Sequence, residues 1–133
     1  GRYFAMKKRK LFCARSLTSD VQPPYNLEGA NISGAIINMA NNTGSNFSGV
    51  IATKTQFFHQ IASTYSHVDF SNAILIESDF SYANLTEARF DGANVRDANF
   101  SNANLYGATG INFAVVKSVC DAIMPDGSKG VCK

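Results

Sequence analysis

The sequence predicts an all-β solenoid, and three observations predict it. From Val68 to Gly107 the chain reads in fives as VDFSN, AILIE, SDFSY, ANLTE, ARFDG, ANVRD, ANFSN and ANLYG. A bulky apolar residue recurs at every fifth position: Phe70, Leu75, Phe80, Leu85, Phe90, Val95, Phe100 and Leu105. Two positions before each stands a small or β-branched residue: Val68, Ala73, Ser78, Ala83, Ala88, Ala93, Ala98 and Ala103.

A period of five fits neither regular element. In an α-helix, every fifth residue is rotated about 140° from the last, so the apolar residues would scatter round the axis. In a strand, fifth positions alternate faces, and half of the Phe and Leu side chains would meet water. A short repeat with two inward positions is the signature of stacked coils, each burying its apolar residues against its neighbours. Four units close a square coil, so residues twenty apart stack. This register places Phe70 on Phe90, Leu75 on Val95, Phe80 on Phe100 and Leu85 on Leu105. The aromatic pairs fall on opposite sides and the aliphatic pairs on the other two. Outside, Asp69 stacks near Arg89.

The units ANLTE, ANVRD, ANFSN and ANLYG carry a pattern of small residue, Asn or Asp, Leu or Phe, then two polar residues or a polar residue and Gly. In this the chain resembles the pentapeptide-repeat proteins. The resemblance implies a right-handed quadrilateral β-helix. Roughly 14 units make about 3.5 coils, ~17 Å long at strand spacing. It implies no particular activity, because one fold serves many roles.

Composition suits a single domain over residues 1–133, with 45% hydrophobic residues and a net charge of +2. No apolar run is long enough to span a membrane. The charge is unevenly placed. Residues 1–20 hold six basic residues against Asp20, whereas residues 68–107 hold six acids against Arg89 and Arg96.

Taken in order, residues 1–24 form a basic N-terminal arm or cap, whose apolar residues cover the open end of the solenoid. Lys7-Lys8-Arg9-Lys10 reads as a solvated charge run, so no nucleic-acid partner is expected. Pro23-Pro24 leads into a first repeat block, residues 25–52, centred on Leu27, Ile32, Ile37, Asn42, Phe47 and Ala52. Asn42 at a core position needs a hydrogen-bond partner or an exposed kink. Three Asn-x-Ser/Thr triplets in this block are products of the repeat and carry no weight as glycosylation sites.

Residues 53–67 interrupt the period, since Ala52 and Phe70 are 18 apart. Thr53 with Gln56 makes a capping box, and Phe57, Ile61 and Tyr65 share one helical face, so a short inserted helix is expected here. The second block, residues 68–107, follows. Residues 108–133 form a non-repeat cap, because Gly110 occupies the next apolar position. Cys120 and Cys132 flank the turn signal Pro125-Asp126-Gly127. A disulfide between them would staple the tail; two free thiols are the alternative. Cys13 is left over as a buried thiol. The tail VCDAIMPDGSKGVC resembles those of cyanobacterial family members, and chloroplast-lumen members carry paired tail cysteines. That resemblance favours an oxidising compartment, thylakoid lumen or periplasm, over the cytoplasm.

Chemistry is sparse. The cysteines with His59 and His67 lack metal-ligand spacing, so no metal and no cofactor are expected. There is no nucleophile elbow and no phosphate loop. A core filled by its own side chains leaves no pocket, so no catalytic residue is assigned and the chain is read as non-enzymatic. Ile74, Ile76, Tyr82 and Tyr106 point outward and are the candidate contact residues, with cover by the inserted helix favoured over another chain for the two isoleucines. The expected function is a monomeric interaction or scaffold protein that binds another protein. The alternative is a DNA-mimicking inhibitor of a type II topoisomerase, as in quinolone-resistance members of the family. Short length and positive net charge speak against it.

Overall fold

The computed structural model describes residues 16–17, 23–37, 41–57 and 63–133. The basic run at 7–10, Cys13 and His59 lie outside the described residues.

The repeat geometry begins at the turn. Phe70 accepts a hydrogen bond from the Ala73 amide, and Leu75, Phe80, Leu85 and Leu105 repeat the bond with the residue three further on. The third turn residue has a positive φ at 59° in Asn72, 58° in Glu77 and 63° in Tyr82. A positive φ at that position alone defines a type II turn. Where Asn or Asp precedes the core residue, its side chain makes the turn self-supporting. Asp69 Oδ1 accepts the Ser71 N–H, Asn84 Oδ1 the Thr86 N–H and Asn99 Oδ1 the Ser101 N–H. Such side-chain acceptors stabilise a local turn without a ladder partner. In two of the Asn-x-Ser/Thr triplets the hydroxyl is also engaged, Thr43 and Ser48 each donating at 2.7 Å to their own Asn41 and Asn46.

Between turns, each side of the square pairs with the next coil by parallel bridges. Asn26, Asn46, Asp69, Arg89 and Thr109 follow one another up face 1; Asn31, Ile51, Ile74 and Asn94 up face 2. Ile36, Gln56, Asp79, Asn99 and Ser118 build face 3, and Asn41, Thr64, Asn84, Asn104 and Ile123 build face 4. Strand β1 (Ser16–Leu17) pairs in parallel with β2 (Ile36–Ile37) and starts face 3.

The core is the stack of inward residues. Phe70 lies on Phe90 and Phe80 on Phe100, with planes 16° and 2° from parallel. The two aromatic columns meet edge to face across the centre, as at Phe70 and Phe80, 84° apart. Leu75, Leu85, Val95 and Leu105 are fully or almost fully buried in the remaining columns. Alanines 73, 83, 88, 98 and 103 are buried where a larger side chain would collide, while Ala93 is only partly buried. The Phe and aliphatic columns expected for 68–107 are therefore present, and Arg89 bonds Asp69 at 3.0 Å.

Two expectations are corrected. The inserted helix does not occupy residues 53–57 or 63–67. Lys54 sits in a turn with φ 56°, Gln56 bridges Ile36 and Asp79, and Phe57 and Tyr65 are buried core residues. Bridges such as Gln56↔Asp79 span 23 residues instead of twenty, so three extra residues are accommodated between Phe57 and Tyr65 without loss of register. Residues 58–62, the middle of the expected helix, lie outside the described residues. The apparent helical face was two consecutive core positions that happen to stand eight apart.

The ladder also runs past residue 107. Phe100 donates its N–H to the Ser118 carbonyl and Leu105 to that of Ile123. The bridges Asn99↔Ser118 and Asn104↔Ile123 span 19 residues, one fewer than a full coil. The tail is thus a shortened last coil, with Val119 and Met124 packed on the core at the two inward positions. The coils extend beyond the about 3.5 read from the clear units because the insertion and the tail both belong to them. Asn42 is buried on face 4, one coil from Tyr65.

Candidate interaction surface

With the interior filled, function is left to the outer faces. Most outward positions are polar, as the turn chemistry requires. Face 2 departs from this at two successive positions, and face 4 at its last, Ile123, which is 44% exposed. Ile51 and Ile74 occupy successive outward bridge positions on face 2 and are 36% and 38% exposed. Ile76, in the following turn, is half-buried beside them. Asn31 and Asn94 bound the pair along the coil axis. The sequence singled out Ile74 and Ile76, and the fold places both on this side. It did not single out Ile51, whose position over Ile74 depends on the 23-residue step.

Tyr82 and Tyr106 are 56% and 55% exposed, as expected. They do not join the isoleucines: Tyr82 follows Phe80 on face 3 and Tyr106 follows Leu105 on face 4. The Tyr106 ring lies over the turn at Gly127, where an added Cβ would stand 3.6 Å from it. The chain leaves face 3 at Phe57 and re-enters on face 4 at Thr64, on the far corner from Ile74.

Along the corner after face 2 runs an open groove of about 540 Å³, lined by Lys54, Glu77, Ser78, Asp79, Asp97, Asn99 and Lys117. Lys54 stands 3.8 Å from Glu77, and both are well exposed. Exposed pairs of this kind contribute only about 0–1 kcal/mol. The groove is solvated along its length, so it lacks the water-excluded setting that tunes catalytic carboxylates.

His67 is exposed and pairs with Glu87 at 2.5 Å. Cys120, Asp121 and Cys132 place ligand-type atoms within 4.8 Å of one another. The two sulfurs are bonded to each other as a disulfide, with Cα atoms 4.2 Å apart, and so do not offer thiolates. Burial pushes the Tyr65 phenol well above its ordinary pKa, and the nearby Ser63 side chain opposes part of that rise. Its ring packs against those of Phe47, Phe57, Phe70 and Phe80, which makes it a packing residue. No helix among the described residues is long and apolar enough to cross a membrane.

A family model described as pentapeptide repeats (8 copies) matches the chain over residues 26–59, 62–92 and 78–109. No curated protein matches. Among solved structures, the chain is similar to HetL, a pentapeptide repeat protein involved in heterocyst differentiation regulation from the cyanobacterium Nostoc sp. strain PCC 7120. Identity is 23%, the TM-score 0.58, and the match covers 94% of this chain and 61% of that one. It is also similar to QnrB1, a plasmid-mediated fluoroquinolone resistance protein, at 21% identity and a TM-score of 0.62, over 72% of this chain and 48% of QnrB1. A pentapeptide repeat protein of the Arabidopsis thaliana thylakoid lumen matches at 18% identity over 78% of this chain and 63% of that one, but its TM-score of 0.32 carries no argument. The first two likenesses show the fold, a right-handed β-helix, and the chain spans less than two thirds of either protein.

Proposed function

The chain belongs to the pentapeptide-repeat family, and on that premise we propose that it is a non-enzymatic interaction protein that docks another protein on face 2. The observation that carries the reading is the stacked pair Ile51 and Ile74, each more than a third exposed at successive bridge positions of one face. Exposed apolar patches with a polar rim are the usual mark of a contact site. A rigid solenoid side presents such a patch without an ordering cost on binding. The chain acts as a monomer, and Tyr82 and Tyr106 belong to other surfaces.

The Cys120–Cys132 disulfide supports an oxidising compartment outside the cytosol. Inhibition of a topoisomerase by DNA mimicry is the second reading. The net charge of +2 stands against it, and the expected result is no inhibition of gyrase supercoiling at high protein concentration.

The test is affinity capture from the native compartment with the parent chain, with an Ile51→Asp/Ile74→Asp variant, and with a Tyr106→Asp variant as control. Circular dichroism would establish that all three fold. Loss of a partner in the face 2 variant alone supports the reading. Capture that is unchanged by the face 2 changes, or no partner for the parent chain, rejects it.

A further inference from the structure

The last coil is closed by a short return of the chain. After the Pro125-Asp126-Gly127 turn, Lys129 bridges Ile123 in antiparallel fashion. Met124 donates its N–H to the Ser128 carbonyl and Gly130 to that of Ala122, both at 2.7 Å. The fit is specific to glycine at 130, where a Cβ would lie 1.9 Å from the Val119 carbonyl oxygen. The return covers Val119, Ala122 and Met124, the ends of two core columns.

Beyond the buried Gly130 and its two backbone bonds, the disulfide is the main tie on the end of the segment. Val131 is 78% exposed, Cys132 and Lys133 are also exposed, and the Lys129–Asp121 pair at 3.1 Å is solvated. The last coil itself is anchored independently. Asn102 donates to the Cys120 carbonyl, Leu105 to Ile123 and Gly107 to Pro125, none through the returning segment. The covalent bond thus ties a short return, held by two backbone bonds, to a coil anchored by the ladder.

We propose that the tail is a redox-operated latch: reduction of Cys120–Cys132 by a dithiol releases residues 128–133 and bares the edge of the last coil. Cys132, the more exposed residue of the pair, takes the attack of the first reductant thiolate at its Sγ. The electron pair of the broken S–S bond leaves on Cys120 Sγ as a thiolate. The second reductant thiolate then attacks the reductant sulfur bound to Cys132, forming the reductant's own disulfide and expelling the Cys132 thiolate. Two electrons pass to the protein, and solvent protonates the two thiolates. The opened edge presents the Ala122 carbonyl and the Met124 amide, an unpaired strand edge of the kind that accepts an added strand.

The experiment uses the full chain carrying Cys13→Ser, so that no third cysteine exchanges. Amide exchange and trypsin cleavage after Lys129 are followed in the oxidised protein and after complete reduction with dithiothreitol, checked by thiol titration. The latch predicts that the Gly130 and Met124 amides exchange at least about tenfold faster on reduction, with faster cleavage, while Phe80 and Leu85 keep their protection. Cys132→Ser without reductant must reproduce the reduced state. Unchanged protection at Gly130 in either reduced form overturns the proposal. So does loss of protection at Phe80 and Leu85, which would make the bond a staple of the whole fold.

Discussion

Phe57 lies flat on Phe80, with ring centroids 4.3 Å apart and planes 5° from parallel, across the three-residue insertion. Phe47 and Phe70, at 5.2 Å, bridge the same coil boundary in the other aromatic column. The solenoid is therefore continuous from the first block into the second, and its faces run unbroken past the extra residues. That continuity is what sets Ile51 over Ile74.

It follows that Phe57→Ala behaves as a core truncation. Urea unfolding should show a loss of about 3–5 kcal/mol, as for a buried Phe elsewhere. A loss below about 1 kcal/mol would place Phe57 on a surface element and break the register.

Glycine changes separate two causes of strain. At Gly34, φ is 77° and an added Cβ meets nothing, so Gly34→Ala carries only the left-handed penalty of about 1–2 kcal/mol. At Gly110, φ is 79° and the Cβ would lie 2.6 Å from the Asp91 backbone. Gly110→Ala should therefore destabilise distinctly more in the same unfolding assay.

The period of five was legible because the turn enforces it locally: an inward Phe or Leu, an Asn or Asp acceptor before it, and a residue tolerating positive φ after it. The aromatic and aliphatic columns followed from arithmetic alone. The insertion misled because Phe57 and Tyr65, eight apart, imitate one helical face, and the capping-box residues Thr53 and Gln56 serve a turn and a bridge instead. The last coil was hidden by a one-residue deletion and by Gly110, which stands where the Asp91 backbone excludes any side chain. Ile51 was missed as a consequence, since only the corrected step aligns it with Ile74. The turn signal between Cys120 and Cys132 did point to the disulfide that is present.

The side-chain acceptor, in the turns that carry one, has its own signature. Asn84 Oδ1 accepts the Thr86 N–H at 3.1 Å and its hydroxyl at 2.6 Å. Asn84→Ala should cost about 1 kcal/mol in thermal or urea unfolding, and Asn84→Asp, which retains the acceptor, much less. Equal losses for the two variants would contradict this role.

Two groups link stability to pH in opposite directions. Tyr65 is raised by burial, so its contribution is complete below the unfolded value near 10 and is lost as pH rises beyond it. Stability measured by urea unfolding should fall on the alkaline side, and Tyr65→Phe should lessen that fall. Asp126 is lowered, chiefly because the Ser128 hydroxyl and amide donate to its carboxylate. Its contribution is present above 3.8 and disappears as pH falls through the lower folded value. Exchange at the Ser128 amide, corrected for intrinsic rate, should therefore accelerate in acid, and Asp126→Asn should remove that dependence.

The central claim is that face 2 is where this protein meets its partner. Site-specific photo-crosslinking tests it most directly, with a benzophenone side chain at Ile74 on face 2 or at Asn104 on face 4, in the native compartment. A discrete protein adduct from position 74, absent from position 104 and abolished by Ile51→Asp, is the predicted result. An adduct from position 104 alone, or equal adducts from both positions, would contradict it.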